Sequence, residues 1–492
     1  MGDKMLEQID EKSKLTTDGD TAKIKFQSST NGEAKIEMPE NGAASQQCGL
    51  TKEELMKYAN DPFWIGLRRT LLVLFWLLWI ALLVGAVVII VATPGCPAAK
   101  EPEWYEKSPI YEVRVDKFVD GKLRGVHQKL PYLKDIYVST IVLEELFNPA
   151  EQRVISPDIG DLNSLADLTK ELKVILKIPL SKIQLSRDDE QRKLAGALVF
   201  WLDKGVAGFI FDEIDLIPES TYRNDFPQVV KDCGEIIANA STREFPRVAM
   251  WSSYTRRLDE AEFCVQNGTF ILDYGLTSLR RGFTASQFYE QFERTTQKNR
   301  TMCRENFVFS NGDIKPLIER VTSAEHDRII MFTLLADATP FVYFGEEHAR
   351  NDTSLPDTLE RKPGNRPMAM NWKTVEAFSK ATENNYFRLF KDVSKIRSKN
   401  EAILSGETHL SVLDGSVVAM SRTKKKNPGF VVVTNFERSA RTVNLTELGP
   451  HIPESAELTL FSTNSKTAKG KRNLQQLNIE GEETLLFEFP SI

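Results

Sequence analysis

The chain has 492 residues and a formal net charge of −6, with 41% hydrophobic and 27% charged residues. This length and balance are ordinary for a globular protein with two or three domains. With this acidic balance, nothing in the composition indicates a nucleic-acid-binding protein, whose binding surface would be basic, and five cysteines are too few for a disulfide-stapled scaffold.

The first 69 residues are expected to form a tail and a short helix. Residues 1–50 are polar, with Phe26 as their single aromatic residue, so they cannot bury enough apolar surface to offset their chain entropy. We therefore predict a disordered cytoplasmic tail. Thr51 and Glu54 match the pattern of a capping box, which predicts a juxtamembrane helix over residues 51–69.

A long apolar segment comes next. No residue between Thr70 and Ala99 is charged, and about 20 apolar residues are enough to span the hydrocarbon core of a bilayer. The segment is longer than a typical buried core helix, and it begins too far from the N-terminus for a cleaved signal peptide. We predict a transmembrane signal anchor over residues 70–93 and an extracellular stalk over residues 94–104.

Two observations predict the orientation of the anchor. Arg68 and Arg69 flank its N-terminal side, and basic residues stay in the cytoplasm. The sequons for N-glycosylation all follow the anchor, at Asn239, Asn267, Asn299, Asn351 and Asn444. This predicts a type II membrane glycoprotein with an extracellular C-terminal portion. Within the anchor, Ala81 and Gly85 form a small-xxx-small pair, which would let another helix pack closely.

Strand and helix patterns alternate over residues 105–395. The strand-like runs are Ile110–Val115, Ile136–Leu143, Val174–Ile178, Gly208–Phe211, Phe270–Leu272, Phe307–Phe309 and Phe341–Tyr343. Helical patterns cover Leu162–Leu172 and Leu194–Lys204. The alternation predicts an α/β fold, a parallel (β/α)8 TIM barrel. Over residues 396–492, short strands separated by turns predict an antiparallel β domain.

Several segments of this C-terminal portion resemble the alpha-amylase family. Ile110–Phe118 is similar to the family's first barrel strand, and Gly205–Asp212 is similar to the strand that carries its nucleophile. Thr339–Glu347 resembles its last strand, and Arg366–Met368 with Trp372 resembles the loop that follows. The resemblance implies an amylase-like barrel whose catalytic positions can be compared one by one.

Asp212 occupies the position of the family's nucleophile, and Asp313 occupies that of its third acid. Retaining hydrolysis also needs a general acid about 5 Å from the nucleophile, but Trp251 stands where the family has that glutamate. Ile210 stands where the family has an arginine that orients the nucleophile. Asp212 and Asp313 are therefore interpreted as remnants of a catalytic site.

Two further positions depart from the family. Gly312 replaces a sugar-binding histidine, and Lys177 replaces the aspartate of the third strand. Loss of a general acid alone removes about a hundred- to ten-thousandfold of the rate. We therefore predict that the barrel is not an enzyme and that it requires neither a cofactor nor a metal ion.

A type II anchor followed by a degenerate amylase-like barrel resembles the heavy chains of heteromeric amino-acid transporters. One of the two known kinds carries a subdomain inserted between the third and fourth barrel strands. Only 26 residues separate Ile178 from Gly205, so the chain resembles the other kind, the cell-surface antigen heavy chain. The tracts Gly49–Leu55 and Val87–Val91 are also similar to that kind.

The resemblance implies a multi-pass light chain as partner, joined by a disulfide through a cysteine just outside the membrane. Cys96 occupies that position and would be exposed in an oxidising compartment; a free, lipidated or internally bridged Cys96 is the alternative. Cys48 is the better candidate for palmitoylation, because it would be cytoplasmic. Cys233 and Cys264 are candidates for an internal disulfide, and Cys303 matches a family cysteine without a partner.

We therefore predict a non-catalytic subunit that binds and stabilises a light chain and escorts it to the plasma membrane. One apolar helix offers an amino acid no polar pathway, so transport would lie in the light chain. The resemblance also implies contact with cell-surface adhesion receptors.

Two alternatives stay open. One is an adhesion or receptor protein without a transporter partner. The other is a membrane-anchored alpha-glucosidase-like enzyme, whose proton donor would be sought among Glu213, Asp215, Glu346 and Glu347.

Overall fold

The computed structural model describes residues 56–58, 61–92, 101–146, 151–254, 269–293, 306–350 and 369–490. Contacts divide the chain into two compact units, Met1–Ala98 and Ala99–Ile492. The predicted tail and most of the predicted stalk, including Cys96, lie outside the described residues.

The first unit contains one long helix, α1 (Pro62–Ala92). The carboxylate of Asp61 accepts a hydrogen bond from the backbone N–H of Phe63 at 2.9 Å, which satisfies a donor that has no partner within the helix. The helix has 31 residues, or about 46 Å at about 1.5 Å per residue. Within its segment Pro62–Ile89, the mean hydropathy reaches 2.9 over a window of 18 residues. The helix is therefore long and apolar enough to cross a membrane.

The second unit is built around eight parallel strands that curl into a nearly closed barrel. They are β1 (Ile110–Arg114), β2 (Thr140–Glu144), β3 (Lys173–Pro179), β4 (Gly208–Asp212), β5 (Val248–Ser252), β6 (Thr269–Leu272), β7 (Asn306–Val308) and β8 (Thr339–Tyr343). They lie in the order β6-β5-β4-β3-β2-β1-β8-β7. Every residue of β1, β2, β4, β5 and β8 is buried, as expected for parallel strands covered on both faces.

Helices precede β1 and connect the strands that follow it. They are α2 (Trp104–Lys107), α3 (Val115–Phe118), α4 (Leu123–Gln128), α5 (Leu130–Asp135), α6 (Leu162–Glu171), α7 (Asp188–Asp203), α8 (Glu219–Asn224), α9 (Phe226–Ala240), α10 (Ala285–Glu293), α11 (Leu317–Arg320) and α12 (Ser323–Leu335). Their ends follow local rules. Asp161 caps α6 by accepting the N–H of Ser164 at 2.8 Å, and Thr322 with Glu325 forms a capping box at α12. The predicted (β/α)8 class is confirmed.

The chain closes with three helices and an antiparallel β domain. The helices are α13 (Trp372–Lys380), α14 (Tyr386–Lys399) and α15 (Glu401–Ser405). The strands are β9 (Glu407–Leu413), β10 (Val417–Thr423), β11 (Gly429–Asn435), β12 (Arg441–Val443), β13 (Ser455–Phe461), β14 (Gly470–Asn473), β15 (Leu477–Ile479) and β16 (Thr484–Phe489). Six of them form a sheet in the order β14-β13-β16-β11-β10-β9, and β12 pairs with β15. The predicted antiparallel domain is confirmed.

Successive residues of a barrel strand face opposite sides of the sheet. The interior cluster includes Ile110, Val142, Ile175, Ile210 and Met250. The cluster between strands and helices includes Tyr111, Ile141, Leu176, Phe211 and Trp251. This alternation decides which side chains reach the mouth of the barrel, at the carboxyl ends of the strands.

A side chain closes the barrel between β6 and β7, two strands that do not pair through a backbone ladder in the described residues. Asn306 donates its Nδ2–H to the carbonyl of Ile271 at 2.6 Å. Its Oδ1 accepts the N–H of Asp273 at 2.8 Å. One backbone bond, from the N–H of Val308 to the carbonyl of Asp273 at 2.9 Å, completes the contact. Buried backbone groups here are thus satisfied by an amide side chain.

The opposite end of the barrel interior is filled by the segment before β1. Tyr105 packs edge-on against Phe270 with the ring centroids 5.3 Å apart, and Trp104 donates its indole N–H to the carbonyl of Pro246 at 2.8 Å. These contacts attach α2 to the loop before β5 and to β6.

A buried arginine attaches the same segment to the helices. Arg397 of α14 donates from Nη2 to the carbonyl of Glu106 at 3.0 Å. From Nη1 it donates to the carbonyls of Leu334 and Ala336, each at 3.0 Å. Because the N–H donors of a guanidinium have a fixed geometry, these bonds hold α2 and the end of α12 in fixed positions against α14.

One predicted strand begins later than expected. The run Ile136–Leu143 predicts a strand, but β2 begins at Thr140 because the turn after α5 uses the first residues. The N–H of Ile136 donates to the carbonyl of Tyr132 at 3.1 Å, and Tyr137 has φ of 60°, which a strand does not tolerate. The domain boundaries stay predictions, and α14 runs across residue 395.

Candidate functional site

The first four strands each place one ionisable side chain at the mouth of the barrel. Glu112 and Glu144 come from β1 and β2, Lys177 comes from β3, and Asp212 ends β4. The neighbouring strands are parallel and paired in register, so side chains from adjacent strands meet at the same end of the barrel. We call these four residues the mouth cluster.

The ammonium group of Lys177 lies at the centre of the mouth cluster. Its Nζ is 2.5 Å from Glu112 Oε1, 2.6 Å from Glu144 Oε1 and 3.3 Å from Asp212 Oδ2. The lysine side chain is only 9% exposed. A charge this far from water requires partners of opposite sign, and the three carboxylates supply them.

The two glutamates respond to burial in opposite directions. Burial raises the pKa of Glu112 to about 8, and the Glu144 carboxylate adds to the rise against the effect of Lys177. Burial would also raise the pKa of Glu144, but Lys177 and a hydrogen bond from Glu112 lower it to about 2. The pKa of Lys177 is lowered by burial and raised more strongly by Asp212, Glu112 and Glu144, so that it ends well above its usual range. At neutral pH the two glutamates therefore share one proton.

Asp212 is buried beside this ammonium group, and its Oδ1 accepts the N–H of Glu213 at 2.8 Å. Ile210 lies two residues earlier on the same interior face of β4. The predicted remnant nucleophile therefore pairs with a lysine of the adjacent strand β3, and its neighbour on the same face of β4 is apolar.

Trp251 does not face the barrel mouth, which corrects the comparison made from the sequence. Its indole lies between the strands and the helices, stacked on Phe211 with the ring centroids 4.4 Å apart and edge-on to Phe226. The register pairs Phe211 with Trp251, so the side chain that faces the mouth beside Asp212 is Ser252. The Ser252 hydroxyl lies 2.9 Å from the Tyr274 hydroxyl.

Asp313 lies on the far side of the mouth, after β7. Its Oδ2 accepts the hydroxyl of Tyr254 at 2.9 Å, and the amide of Asn311 donates to the same hydroxyl at 3.1 Å. At Gly312, an added Cβ would lie 2.6 Å from the hydroxyl oxygen of Tyr343. Tyr343, which donates to Glu144 Oε2 at 3.1 Å, therefore fills the space that a histidine at position 312 would need.

The glutamates after β8 have local partners. Glu347 Oε1 accepts the hydroxyl of Tyr111 at 2.8 Å and also that of Tyr132. Glu346 accepts the N–H of Leu317 at 3.2 Å. Both glutamates are buried.

The acids after β4 are also hydrogen-bonded locally. Asp215 accepts the hydroxyl of Ser253 at 2.8 Å and the N–H of Tyr254 at 2.6 Å. Glu213 accepts the hydroxyl of Ser181. The four carboxylates considered as proton donors therefore all accept hydrogen bonds from other groups of the barrel unit.

A cavity of about 410 Å³ lies beside the mouth, between the ends of β5 and β6. Its described lining includes Tyr254, Tyr274 and Arg280, but neither Asp212 nor Lys177. Within the described residues no group of three or more His, Cys, Asp and Glu side chains is arranged to hold a metal ion. The open space near the mouth is therefore separate from the buried carboxylates.

The other predicted site residues are distributed as follows. Asn239 is exposed near the end of α9, and Asn444 Oδ1 accepts the hydroxyl of Thr446 at 2.7 Å. Ala81 is exposed on α1 and Gly85 is half-buried. Cys233 is buried on α9. The remaining predicted positions lie outside the described residues: Cys48, Cys96, Asn267, Cys264, Asn299, Cys303, Asn351 and Arg366–Met368.

The sequence comparison missed Glu112, Glu144 and Tyr343 as parts of this site. The available signal was a charged residue within an otherwise apolar strand, as in Glu112 of β1. Charged residues are seldom fully buried without a partner, so an acid in each of two neighbouring strands indicates a basic partner in a third.

Comparison with solved structures shows an amylase-like fold, since alpha-amylase from Geobacillus thermoleovorans superimposes with a TM-score of 0.58 at 16% identity, covering 78% of this chain and 99% of that one. Isomaltulose synthase from Klebsiella sp. LX3 superimposes with a TM-score of 0.61 at 14% sequence identity, covering 79% of this chain and 100% of that one. Trehalose-6-phosphate hydrolase from Bacillus licheniformis gives a TM-score of 0.62 at 13% identity with the same coverage. At such identities the likeness shows the fold alone.

Sequence comparison then narrows the class. Residues 33–111 match the family described as Solute carrier family 3 member 2 N-terminus. The amino acid transporter heavy chain SLC3A2 of Rattus norvegicus is 27% identical over 94% of this chain and 93% of its own length. That of Oryctolagus cuniculus is 25% identical over 94% and 92%.

A second kind of heavy chain also matches. SLC3A1 of Rattus norvegicus is 21% identical over 92% of this chain and 87% of its own length. The resemblance of this chain to amino acid transporter heavy chains is thus confirmed, and the relatives support a heavy-subunit role.

Proposed function

We propose that this chain is a non-catalytic heavy subunit that binds a multi-pass amino-acid transporter light chain, stabilises it and escorts it to the plasma membrane. The observation that carries the proposal is the similarity to transporter heavy chains over 94% of the chain. The type II orientation, with the barrel outside, is supported by Arg68 and Arg69 before α1 and by the sequons after it.

The mouth cluster supports a non-catalytic role for the barrel. A retaining glycosidase needs a free carboxylate nucleophile and a protonated acid about 5 Å away. Here Asp212 lies 3.3 Å from Lys177 Nζ, and β5 ends in Ser252 without a carboxylate. Tyr343 beside Gly312 leaves no room for a larger residue. The carboxylates of this mouth are therefore partners of a lysine.

The properties of α1 support a role beside a transporter. Its apolar stretch has no ionisable residue after Arg69, so it provides no polar pathway for an amino acid. Ala81 and Gly85 lie one turn apart and would let a helix of the light chain approach closely. A partner that binds only the folded light chain stabilises it by mass action.

Cys96 is proposed to link the two chains. Membranes from cells that express the chain and a light chain would be compared on reducing and non-reducing gels, for the wild type, Cys96→Ser and the control Cys48→Ser. We expect a larger band that reduction collapses and that only Cys96→Ser abolishes. A single-chain band under both conditions would contradict the covalent link and favour the adhesion or receptor alternative.

A hydrolysis assay on the intact protein, with maltose and an aryl α-glucoside as substrates, distinguishes the non-catalytic proposal from the alternative of an anchored alpha-glucosidase-like enzyme. We expect no turnover above that of Asp212→Asn. Turnover that Asp212→Asn abolishes would contradict the non-catalytic proposal, because it would require Asp212 as a nucleophile despite its contact with Lys177.

A further inference from the structure

A second cavity, of about 480 Å³, lies between α12 and the turns of the β domain. Its apolar wall is formed by Phe283 and Phe436, and its charged lining includes Arg328, Arg438, Glu437 and Glu482. It is remote in sequence from the mouth cluster, and no residue of that cluster lines it. Its volume is within the range of small-molecule sites. We call it the Arg328 cavity.

Arg328 is the buried cation of this cavity, with 2% of its surface exposed. Its Nε donates to the Thr434 hydroxyl at 2.7 Å, and its Nη2 donates to the carbonyl of Asn435 at 2.9 Å. Its guanidinium carbon lies 3.9 Å from the ring centroid of Phe436. Within the described residues, no acceptor lies within hydrogen-bonding distance of Nη1. One charge-assisted donor of a buried arginine thus remains for a ligand in the cavity.

The carboxylates of the cavity differ in their availability. Each carboxylate oxygen of Glu325 already accepts a backbone hydrogen bond, Oε1 from the N–H of Gly282 and Oε2 from the N–H of Thr322, each at 2.7 Å. In the described ranges, the side chains of Glu437 and Glu482 have no hydrogen bond or ion pair, and neither has that of Arg438. The cavity therefore offers one donor of Arg328, the guanidinium of Arg438 and the carboxylates of Glu437 and Glu482. Burial lowers the pKa of Arg328, and Glu482 lies close enough to that arginine to raise its pKa in part.

The backbone around the cavity is shaped by two glycines. Gly282 has φ of +84°, a left-handed conformation that favours glycine, and it precedes Phe283 on the apolar wall. Gly481 lies so close to Arg438 that an added Cβ would meet the Arg438 carbonyl oxygen at 2.0 Å. Without a side chain, Gly481 allows this close approach, and the N–H of Glu482 donates to the carbonyl of Glu437 at 2.8 Å, which joins the two turns. The opposite charges of the lining are thus presented by backbone segments in fixed contact.

We propose that the Arg328 cavity binds an α-amino acid with an apolar side chain. Its carboxylate would pair with Arg328 Nη1 and Arg438, its ammonium with Glu437 and Glu482, and its side chain would pack on Phe283 and Phe436. A simple anion is disfavoured because two unpaired carboxylates line the same space, and a simple cation is disfavoured by the buried Arg328. A zwitterion satisfies both signs, and this binding does not depend on a light chain.

The test uses the full chain in detergent without any light chain, so that a transporter's own substrate site does not contribute. Calorimetric titration would compare L-leucine with 4-methylpentanoate, which lacks the ammonium, and with 3-methylbutylamine, which lacks the carboxylate. We expect L-leucine to bind and each analogue to bind about tenfold or more weakly, since each leaves a charged partner unpaired. Absence of L-leucine binding, or equal binding of either analogue, would overturn the proposal.

Variants locate the binding in this cavity. Arg438→Gln and Glu482→Gln should each weaken L-leucine binding about tenfold, whereas Arg472→Gln and Glu457→Gln, on β14 and β13, should not change it. Arg328→Gln also removes bonds to Thr434 and Asn435, so Arg438→Gln is the deciding variant. Unchanged binding in Arg438→Gln and Glu482→Gln, with the fold intact by circular dichroism, would overturn the proposal.

Discussion

Lys177 determines the charge balance at the centre of the barrel mouth. Its ammonium lies within 3.3 Å of three carboxylates that come from three different strands. An ion pair of this kind costs much desolvation, and it stabilises the fold only while both signs are present. The stability of the fold therefore depends on the lysine and on the carboxylates that surround it.

Replacing Lys177 by methionine should destabilise the protein strongly. The change leaves Glu112, Glu144 and Asp212 without their cation, and breaking a buried ion pair in this way typically costs about 3–5 kcal/mol. The control is Lys134→Met, which removes an exposed pair with Glu171 worth at most about 1 kcal/mol. Denaturant unfolding followed by tryptophan fluorescence measures both; equal losses would contradict the central role of Lys177.

Glu112 should make the stability fall as the pH rises. Its pKa is raised from 4.5 to about 8 in the folded chain, so between these values the folded state holds a proton that the unfolded state has lost. The contribution is complete below pH 4.5 and disappears as the pH passes 8. Glu144, with its pKa lowered to about 2, titrates outside this window.

The measurement is the melting temperature of the wild type and of Glu112→Gln from pH 6 to pH 9. The glutamine keeps a hydrogen-bond donor toward Glu144 but does not titrate, so its melting temperature should decline less over this range. Parallel profiles for the two proteins would show that Glu112 is not the titrating group.

Among the elements, β6 and β7 are neighbouring barrel strands that no backbone ladder joins in the described residues. The strand pairs on either side of this seam are joined by regular parallel ladders, whereas the seam depends on the amide of Asn306 and one backbone bond. The strands around the seam are buried, so water cannot replace a hydrogen-bond partner that is lost there, and the backbone N–H and C=O groups would remain unsatisfied.

Asn306→Ala should therefore open the barrel at this seam. It leaves the N–H of Asp273 and the carbonyl of Ile271 without their side-chain partner, at a cost of about 1–3 kcal/mol for each buried group. Hydrogen exchange at residues 271–273 should accelerate. Asn427→Ala, which removes an exposed side-chain contact to Lys425, serves as the control, and unchanged exchange in Asn306→Ala would contradict this account.

At the scale of the whole molecule, the chain combines a barrel unit that buries its apolar residues with a helix that exposes them. Every large apolar side chain from Leu71 to Leu83 on α1 is more than half exposed within the chain. Surfaces of this kind are covered by lipid or by another helix. If the proposed transporter complex forms, a helix of the light chain should cover one face of α1, and that face can be tested by mutation.

Adding bulk at the small pair should weaken the complex. Ala81→Leu with Gly85→Leu blocks close approach, and contacts between membrane helices contribute about 0.6–2 kcal/mol each, so recovery of the light chain should fall several-fold. Ala86→Leu adds one leucine on another face of the helix and should have little effect. Surface biotinylation and co-purification measure both, and equal loss in the control would contradict the assigned face.

The sequence allowed the order of elements to be predicted, because the alternation of strands and helices is local. Asp212 and Lys177 were placed correctly on neighbouring strands, whereas their contact with Glu112 and Glu144 depends on how β1, β2 and β3 pair. The side toward which Trp251 points changes with a register shift of one residue. Asn306 at the seam could not be foreseen, since its partners are backbone groups of β6 and of the turn after it.

The attachment of α2 gives the barrel unit a mechanical property. A pull on the chain at residue 101 reaches first the indole bond of Trp104 to Pro246 and the bond of Arg397 to Glu106. Behind them lies β1, held between β2 and β8 by parallel ladders that a lengthwise force loads in shear, several hydrogen bonds at a time. Under tension applied at this end, the hydrogen bonds of α2 would therefore have to break before β1 could slide against β2 and β8.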